Sequence, residues 1–538
     1  MGAASLLGGP ATAAAPRPSR VSGRWAILAV LSVSLLIVSL DTTILNVALP
    51  TIVRDLNASS SELQWVVDAY SIVFAGLLLV EGTLGDRVGR KWVFMGGLTV
   101  FAAGSAACAW SSTPELLTAF RAFMGVGAAA VMPSTLSILT NVFSDEERTT
   151  AIGIWSGATG LGVAIGPVVG GWLLAHYWWG SVFLVNVPIA ALGLLATWWL
   201  VPNSKNPTSK APDPVGGVLS VAGMAMLLWG IIEAPNRTWT SPLVLGALTG
   251  AVVILLAFVL WERHSTHPML ELSFFSNRRF SAAISAMGIV IFALMGGLFI
   301  LTQYLQFSLG YSALQAGLRI APIAGVLLVT APLSTQLVRF IGTKPVVFAG
   351  LGVIAAGLLV VSKTTIHGDY MDALPAFIMI GGGTGLALAP CTDAVMGSVP
   401  QEMAGAGSAT NGAFLQTGGA LGVAVLGSLM NSRYKGHMSP LLRGYRAPTA
   451  IHDAIMGSLG GALEIAQHIG GALGAGLAAA ARDAFTLGMD LSCQVAGFVV
   501  IAAAILVAAF LPNRPRRGSE VSEQPRAAKW GPGRVHSG

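Results

Sequence analysis

Residues 40–50, LDTTILNVALP, place one carboxylate, Asp41, inside an apolar run that is long enough to cross a bilayer. The composition of the whole chain agrees: 10% of the residues are charged, 54% are hydrophobic, and the mean hydropathy is +0.72. Soluble globular domains carry about 25% charged residues. The sequence therefore indicates a membrane protein, and a charged group inside a membrane span is costly enough to be a candidate functional residue.

Fourteen apolar segments, each of about 18 residues or more and so long enough to cross a hydrocarbon core, divide the chain. They predict an all-α polytopic membrane protein. The predicted spans lie near 25–50, 64–84, 93–112, 114–139, 151–174, 181–202, 214–234, 243–262, 281–307, 318–338, 345–362, 373–397, 410–431 and 491–511.

The chain also repeats itself with an offset of about 257 residues. PST at 133–135, followed by LGVAIG at 161–166, returns as PCT at 390–392, followed by LGVAV at 421–425. Two six-helix halves separated by two extra helices account for this offset, and such repeats build alternating access around a midplane site. The predicted parts are an N-tail at 1–24, a first half at 25–202, two additional helices with their linkers at 203–280, a second half at 281–511 and a C-tail at 512–538.

Lys and Arg accumulate in alternate connections between the predicted spans, for example Arg87, Arg90 and Lys91 after the second span. Because cytoplasmic loops carry an excess of positive charge, this pattern predicts that both termini are cytoplasmic and that 432–490 is a long outer loop. Within that loop, the Ala/Gly-rich stretch 456–480 carries polar side chains in its middle. We expect it to be an external helix on the membrane surface instead of a fifteenth span.

Several classes of function find no support in the sequence. The dipeptide Gly-Lys is absent, so there is no Walker A loop and no sign of ATP use. Cys108, Cys391 and Cys493 all lie in apolar segments and imply neither a disulfide framework nor a metal site. The isoelectric point near 9.4 comes from Lys and Arg that are concentrated in the loops on one side of the membrane, so it does not indicate nucleic-acid binding. We therefore expect no cofactor, no metal, no nucleic-acid partner and no enzymatic activity.

Four sequence motifs lie in the first half. They are DTTILNVALP at 41–50, GTLGDRVGRK at 82–91, Arg121 with the small residues that follow it, and GVAIGPVVGG at 162–171. In these motifs the chain resembles the major facilitator superfamily, specifically its fourteen-helix drug:proton antiporter branch, across essentially all of 25–511. The resemblance implies an exporter driven by the proton gradient, functional as a monomer in the bacterial plasma membrane.

Asp41 and Arg121 are the first candidate pair for proton coupling. Counted from the helix ends at about 1.5 Å per residue, both lie at a similar depth below the outer surface. Low dielectric disfavours a charged carboxylate, so we expect Asp41 to bind and release a proton in competition with Arg121. The alternative is a static pair that only holds the first span against the fourth.

The loop after the second span is the candidate cytoplasmic gate. Topology alone requires cations beside a cytoplasmic helix end. The glycines and the single Asp predict, in addition, a tight turn whose carboxylate meets a helix N-terminus or an Arg of the other half. The family resemblance implies a gate that stabilises one access state, formed by Gly82, Asp86, Arg87, Gly89, Arg90 and Lys91.

The fifth span carries Gly162, Gly166 and Gly170 at intervals of four residues, which predicts one smooth helical face. Together with Pro167 and Gly171, this face is able to bend and to seal against a partner helix. Its association with antiport comes from the family resemblance and not from the spacing.

Two more carboxylates lie within predicted spans. Asp393, near the cytoplasmic end of the twelfth span, is a site for a cationic drug or a second proton, or else a hydrated helix-end carboxylate. Asp68, about one turn inside the second span, is expected to be hydrated at the interface, with a second coupling role as the alternative.

The candidate substrate cavity is poor in charge. Met124 stands where the family often has Gln, and the segment 411–416 is largely apolar where close relatives carry charged residues. These departures weaken any expectation of a dicationic substrate. The cavity candidates are Met287, Phe292, Met295, Phe299 and Tyr304 of the ninth span, with Asn411 and Gln416 of the thirteenth.

The leading functional hypothesis is export of drugs, antibiotics or other hydrophobic or cationic compounds. Small-molecule substrates, protons and membrane lipids are then the interacting partners. One alternative is a dedicated exporter of a single endogenous metabolite, peptide or lipid, and another is a non-transporting membrane receptor or scaffold that uses the outer loop.

Overall fold

The computed structural model describes residues 23–204, 213–265, 268, 270–364, 369–400, 403–443 and 448–513, and every regular element within them is helical. The first half contains α1 (Arg24–Leu56), α2 (Ser60–Val88), α3 (Arg90–Ala109), α4 (Pro114–Val142), α5 (Asp145–His176) and α6 (Ser181–Leu184), which α7 (Asn186–Leu200) continues. Two additional helices follow, α8 (Pro214–Arg237) and α9 (Pro242–His264). The second half contains α10 (Arg278–Gln303) with a π-helical end at Tyr304–Ser308, α11 (Ala313–Ile341), α12 (Thr343–Val361), α13 (Tyr370–Met396), α14 (Ala404–Leu442), α15 (Thr449–Gly457), α16 (Leu459–Ile469) and α17 (Gly471–Phe510).

The predicted membrane architecture is confirmed. Twelve helices in the described residues are long and apolar enough to cross a membrane, and the bent pair Thr150–Val163 and Ile165–His176 makes a thirteenth span. The bend of 42° has a local cause, because Pro167 lacks the N–H that would pair with the Val163 carbonyl. α2, with 29 residues, is a further long helix. The first twelve predicted spans match these helices within about six residues at each end, whereas α14 and α17 are longer than predicted.

The segment 432–490 differs from the predicted outer loop. α14 continues to Leu442, α15 and α16 follow, and α17 already begins at Gly471. The prediction of one surface helix over 456–480 is wrong, because Ser458 is extended and Gly470 and Gly471 both have a φ of +61°. A positive φ ends a helix, and glycine adopts it without steric cost. The stretch is therefore divided between α16 and the start of α17.

The two halves meet along two helix pairs, α2 with α14 and α5 with α11, while α8 packs on α9, α2 and α14. We call the end of the bundle that holds the C-terminus of α1 and the N-terminus of α2 the closed end. There Gln306 donates a hydrogen bond of 2.9 Å to the Val47 carbonyl, and the Arg54 guanidinium lies 5.4 Å from the centre of the Phe307 ring. The halves are joined directly at this end.

Candidate functional site

An ion pair is buried between α1 and α4. Arg121 Nη1 lies 2.5 Å from Asp41 Oδ2, and the two side chains are 1% and 0% exposed. Arg121 also donates through Nε to the Val66 carbonyl at 3.1 Å, and its guanidinium lies 4.3 Å from the centre of the Tyr70 ring. The expected pairing is thus present, and α2 supplies Arg121 with partners that do not depend on Asp41.

The second oxygen of Asp41 is held by a polar chain that sequence reasoning missed. Asn186, at the start of α7, donates to Asp41 Oδ1 at 3.3 Å and to Ser105 Oγ at 3.0 Å. Ser105, on α3, donates in turn to the Phe183 carbonyl at 2.8 Å. Asn186 and Ser105 are both fully buried. Their only signal in the sequence is a polar residue within an apolar span, which is too common to identify a site.

The glycine face of α5 packs against the turns of α1 that carry Asp41. A Cβ added at Gly162 would lie 2.7 Å from the Leu36 carbonyl oxygen, and one at Gly166 would lie 2.1 Å from Thr43 Oγ1. Gly170 faces Ile44 in the same way. The absence of side chains on α5 therefore brings the backbone of α1 close to α5 at Asp41.

The remaining residues of that motif contact the other half of the molecule. A Cβ on Gly171 would lie 2.7 Å from Leu314 Cα, and one on Gly317 of α11 would lie 2.1 Å from the Pro167 carbonyl oxygen. One motif therefore packs on α1 with one face and on α11 with another. This places the Asp41 site directly beside the contact between the halves.

Asp68 lies in the interior and not at a hydrated interface, so that expectation is wrong. Its side chain is 0% exposed, and neither carboxylate oxygen has a hydrogen-bond partner among the described residues. Gln64, one turn away on α2, is equally buried and faces Gly427 of α14, where an added Cβ would lie 2.8 Å from the Gln64 amide. Two unpartnered polar side chains thus lie along α2 near the contact between the halves.

The candidate gate residues make contacts within the first half. Arg90 donates to the Ser137 carbonyl at 3.1 Å and Lys91 to the Trp198 carbonyl at 2.8 Å, both within two turns of a helix C-terminus. Cations are favoured there by the helix dipole. Gly89 has a φ of 133° and forms the turn between α2 and α3, whereas Arg87 is exposed. Gly82 and Asp86 lie outside the residues whose side chains the structure describes. The gating role stays a prediction.

Asp393 and the cavity candidates are distributed between surface and core. Asp393 is exposed within the last turn of α13. Met287, Phe299 and Tyr304 are fully packed in the interior, and the Thr392 hydroxyl lies 3.9 Å from the Met287 sulfur. The other cavity candidates are partly exposed: Phe292, Met295, Asn411 and Gln416. Among the described residues, no cluster of three or more His, Cys, Asp or Glu side chains is arranged to hold a metal.

Two helical halves, two intervening helices and a buried Asp–Arg pair define a polytopic membrane transporter. The family model described as Major Facilitator Superfamily matches residues 31–423, and the chain belongs to this family. The tetracenomycin C resistance and export protein of Streptomyces glaucescens is 34% identical over 498 residues, which cover 90% of this chain and 91% of that protein. The multidrug efflux pump LfrA of Mycolicibacterium smegmatis is 34% identical over 91% of this chain and 97% of the pump.

Solved structures support the same fold. A bacterial homologue of the human lysosomal transporter Spinster, inward-facing and unoccupied, has a TM-score of 0.62 at 18% identity, covering 91% of this chain and 98% of that one. A D-xylose-proton symporter has a TM-score of 0.58 at 14% identity, covering 91% and 99%. At these identities the likeness concerns the fold alone.

Proposed function

We propose that this protein is a proton-coupled antiporter that exports drugs, antibiotics or other hydrophobic or cationic compounds from the cytoplasm. The observation that carries the coupling is the fully buried Asp41–Arg121 pair beside the glycine face of α5. The printed names of the 34% identical relatives, a multidrug efflux pump and an antibiotic export protein, support efflux as the direction.

The pair contains the elements of a proton switch. A proton on Asp41 removes its charge and weakens its attraction to Arg121, whereas Arg121 keeps the Val66 carbonyl and the Tyr70 ring as partners. The link from α1 to α4 is thereby loosened while the link from α2 to α4 persists. α1 is then free to shift along the smooth face of α5, which also touches α11 of the other half.

The membrane setting belongs to the same proposal. Both termini lie in the cytoplasm of a bacterial cell, the chain works as a monomer among the plasma-membrane lipids, and the closed end faces outward. The proton gradient drives the cycle without a cofactor. Asp68, buried without a hydrogen-bond partner among the described residues, is the second candidate for proton binding.

The test is uncoupler-sensitive ethidium efflux from cells that lack their own pumps. Asp41→Asn alone is ambiguous, because it leaves the Arg121 charge buried without a counter-ion at a cost of about 3–5 kcal/mol. The double variant Asp41→Asn/Arg121→Gln removes both charges and keeps hydrogen-bonding side chains. We expect it to be expressed and folded but to show no uncoupler-sensitive efflux.

If the double variant still shows uncoupler-sensitive efflux, the Asp41–Arg121 pair is only structural, and its coupling role is overturned. If the well-expressed wild type exports no ethidium, the second candidate, a dedicated exporter of one endogenous product, becomes the working hypothesis. The name of the relative from S. glaucescens favours that candidate. A panel of secondary metabolites, peptides and lipids then replaces ethidium as the substrate set.

A further inference from the structure

α8 belongs to neither half, yet it joins them. A second hydrophobic cluster, separate from the main core, is built from three helices: Ile72 of α2, Leu228 and Ile232 of α8, and Ala420 and Ala424 of α14. α2 is part of the first half and α14 part of the second. α8 therefore packs against both α2 and α14, the helix pair along which the two halves meet.

The last turns of α8 add hydrogen bonds to this apolar contact. Pro235 has no N–H, so the carbonyl of Ile231, four residues earlier, lacks its helical partner. Ser428 of α14 is fully buried and donates a hydrogen bond of 2.6 Å to this Ile231 carbonyl. The proline thus creates an acceptor on α8 that the second half occupies.

A second bridge runs through Asn236. Its amide nitrogen donates to Ser61 Oγ of α2 at 3.1 Å, and its carbonyl oxygen accepts a short hydrogen bond from Lys435 Nζ of α14. Ser61 Oγ also lies 3.4 Å from the Ile232 carbonyl of α8. A single amide on α8 is therefore bonded to both halves at the closed end.

We infer that residues 231–236 of α8 form a clasp that holds α2 and α14 together when the outer end is shut, and that Asn236 and Ser428 are positioning residues for transport. This inference rests on the proposed function, because alternating access requires the two halves to separate at this end. The clasp gives α8 a role in the cycle: it sets the balance between the two access states.

The clasp is built to open. When α14 moves away, the hydroxyl of Ser428 can rotate to the carbonyl of its own helix four residues earlier, at Ala424, as serine commonly does inside helices. Lys435 and Asn236 lie toward the ends of their helices, where Asn236 is exposed and Lys435 is half-buried, so water reaches both side chains. Opening therefore leaves the donors satisfied, and each bridge contributes the net strength of a single hydrogen bond.

The experiment measures the distance between the halves at the closed end, in the full chain in lipid nanodiscs. Spin labels are attached at Leu116→Cys of α4 and Leu441→Cys of α14, two exposed positions, with the three buried native cysteines replaced by alanine. Double electron–electron resonance gives the populations with short and long distances. The variants are Ser428→Ala, Asn236→Ala and the conservative Ser428→Thr.

Ser492→Ala is the matched control, because its hydroxyl donates to the Leu426 carbonyl at 2.9 Å within the second half alone. We expect Ser428→Ala and Asn236→Ala to raise the ratio of long to short distances by about two- to tenfold, the effect of one net hydrogen bond. Ser428→Thr should restore the wild-type ratio, and Ser492→Ala should leave it unchanged.

Unchanged distance populations in both clasp variants would overturn the inference, as would an equal change in the Ser492→Ala control. The measurement needs no substrate, so it can be read even if ethidium efflux fails. Efflux by the same variants supplies a second readout: a shifted access balance changes kcat and KM unequally, whereas a general loss of folded protein lowers only the amount of active transporter.

Discussion

At the scale of single residues, the described membrane interior contains two kinds of buried carboxylate. Asp41 is paired with Arg121 and accepts a hydrogen bond from Asn186, and Arg121 is itself bonded to the Val66 carbonyl of α2. Asp68 has none of these among the described residues. A buried charge without a partner costs several kcal/mol. Asp68 is thus buried without compensating contacts among the described residues, whereas Asp41 is held in an ion pair.

This difference predicts the effect of Asp68→Asn on stability. Asparagine keeps the shape and removes the group that would need to ionise, so the melting temperature of the purified variant should equal or exceed that of the wild type. If Asp68 binds a proton during transport, the number of protons moved per ethidium should fall. A variant that melts far below the wild type would show that Asp68 makes contacts essential to the fold.

Thr238 is strained by its backbone. It follows α8 with a φ of 73° and a ψ of 142°, a region that β-branched residues rarely adopt and glycine adopts freely. We expect Thr238→Gly to raise stability by about 1 kcal/mol, measured as the midpoint of thermal unfolding in detergent. Asn57, also at positive φ, is the comparison, because asparagine tolerates this region and Asn57→Gly should change the midpoint less.

At the scale of elements, close helix approach depends on where glycine lies and not on how much glycine there is. α5 shows both cases. Gly166 faces the α1 turn that carries Asp41, whereas a Cβ on Gly160 would meet only Leu328, at 3.8 Å. The same residue type is therefore essential to packing at one position and replaceable at the other.

Alanine substitution should separate the two positions. Gly166→Ala puts a methyl group against Thr43 Oγ1, which must leave its rotamer, and 3.2 Å from the Ile44 nitrogen, which presses on the backbone of α1. We expect a loss of about 1–3 kcal/mol in stability and reduced efflux. Gly160→Ala should be neutral or slightly stabilising in both thermal unfolding and efflux assays. Equal effects of the two substitutions would contradict a specific α1–α5 contact.

At the scale of the whole molecule, the two halves are held together at one end through α1, α10, α16 and the clasp of α8. Gln306 reaches the backbone of α1, and Gly460 of α16 lies against both Val53 and Phe307. α14 and α17 are both longer than their apolar segments, and their additional turns lie at this end of the molecule. The closed end is thus a composite of both halves and of the additional helix.

The orientation of this end is testable by labelling from one side. Leu116→Cys lies at the closed end and Val88→Cys at the opposite end, and both positions are exposed. In intact cells a membrane-impermeant maleimide should label Leu116→Cys within minutes and Val88→Cys only after permeabilisation. The reverse pattern would contradict cytoplasmic termini. The three native cysteines are buried and give a low background.

The sequence by itself determined the membrane class, the order of helices, the family and the charged residues of the Asp41 site. These follow from local information, because apolar length, turn residues and motifs can be read within a span. The three-dimensional structure alone decided which partners each charge acquired: Asn186 lies 145 residues from Asp41, and Ser428 lies 197 residues from Ile231. It also buried Asp68 and divided 456–480, because side-chain solvation and helix ends depend on neighbours distant in the chain. Contacts between separate helices arise only when the helices pack, which is why the polar chain of Asn186 and Ser105 and the clasp of α8 could not be predicted from local pattern.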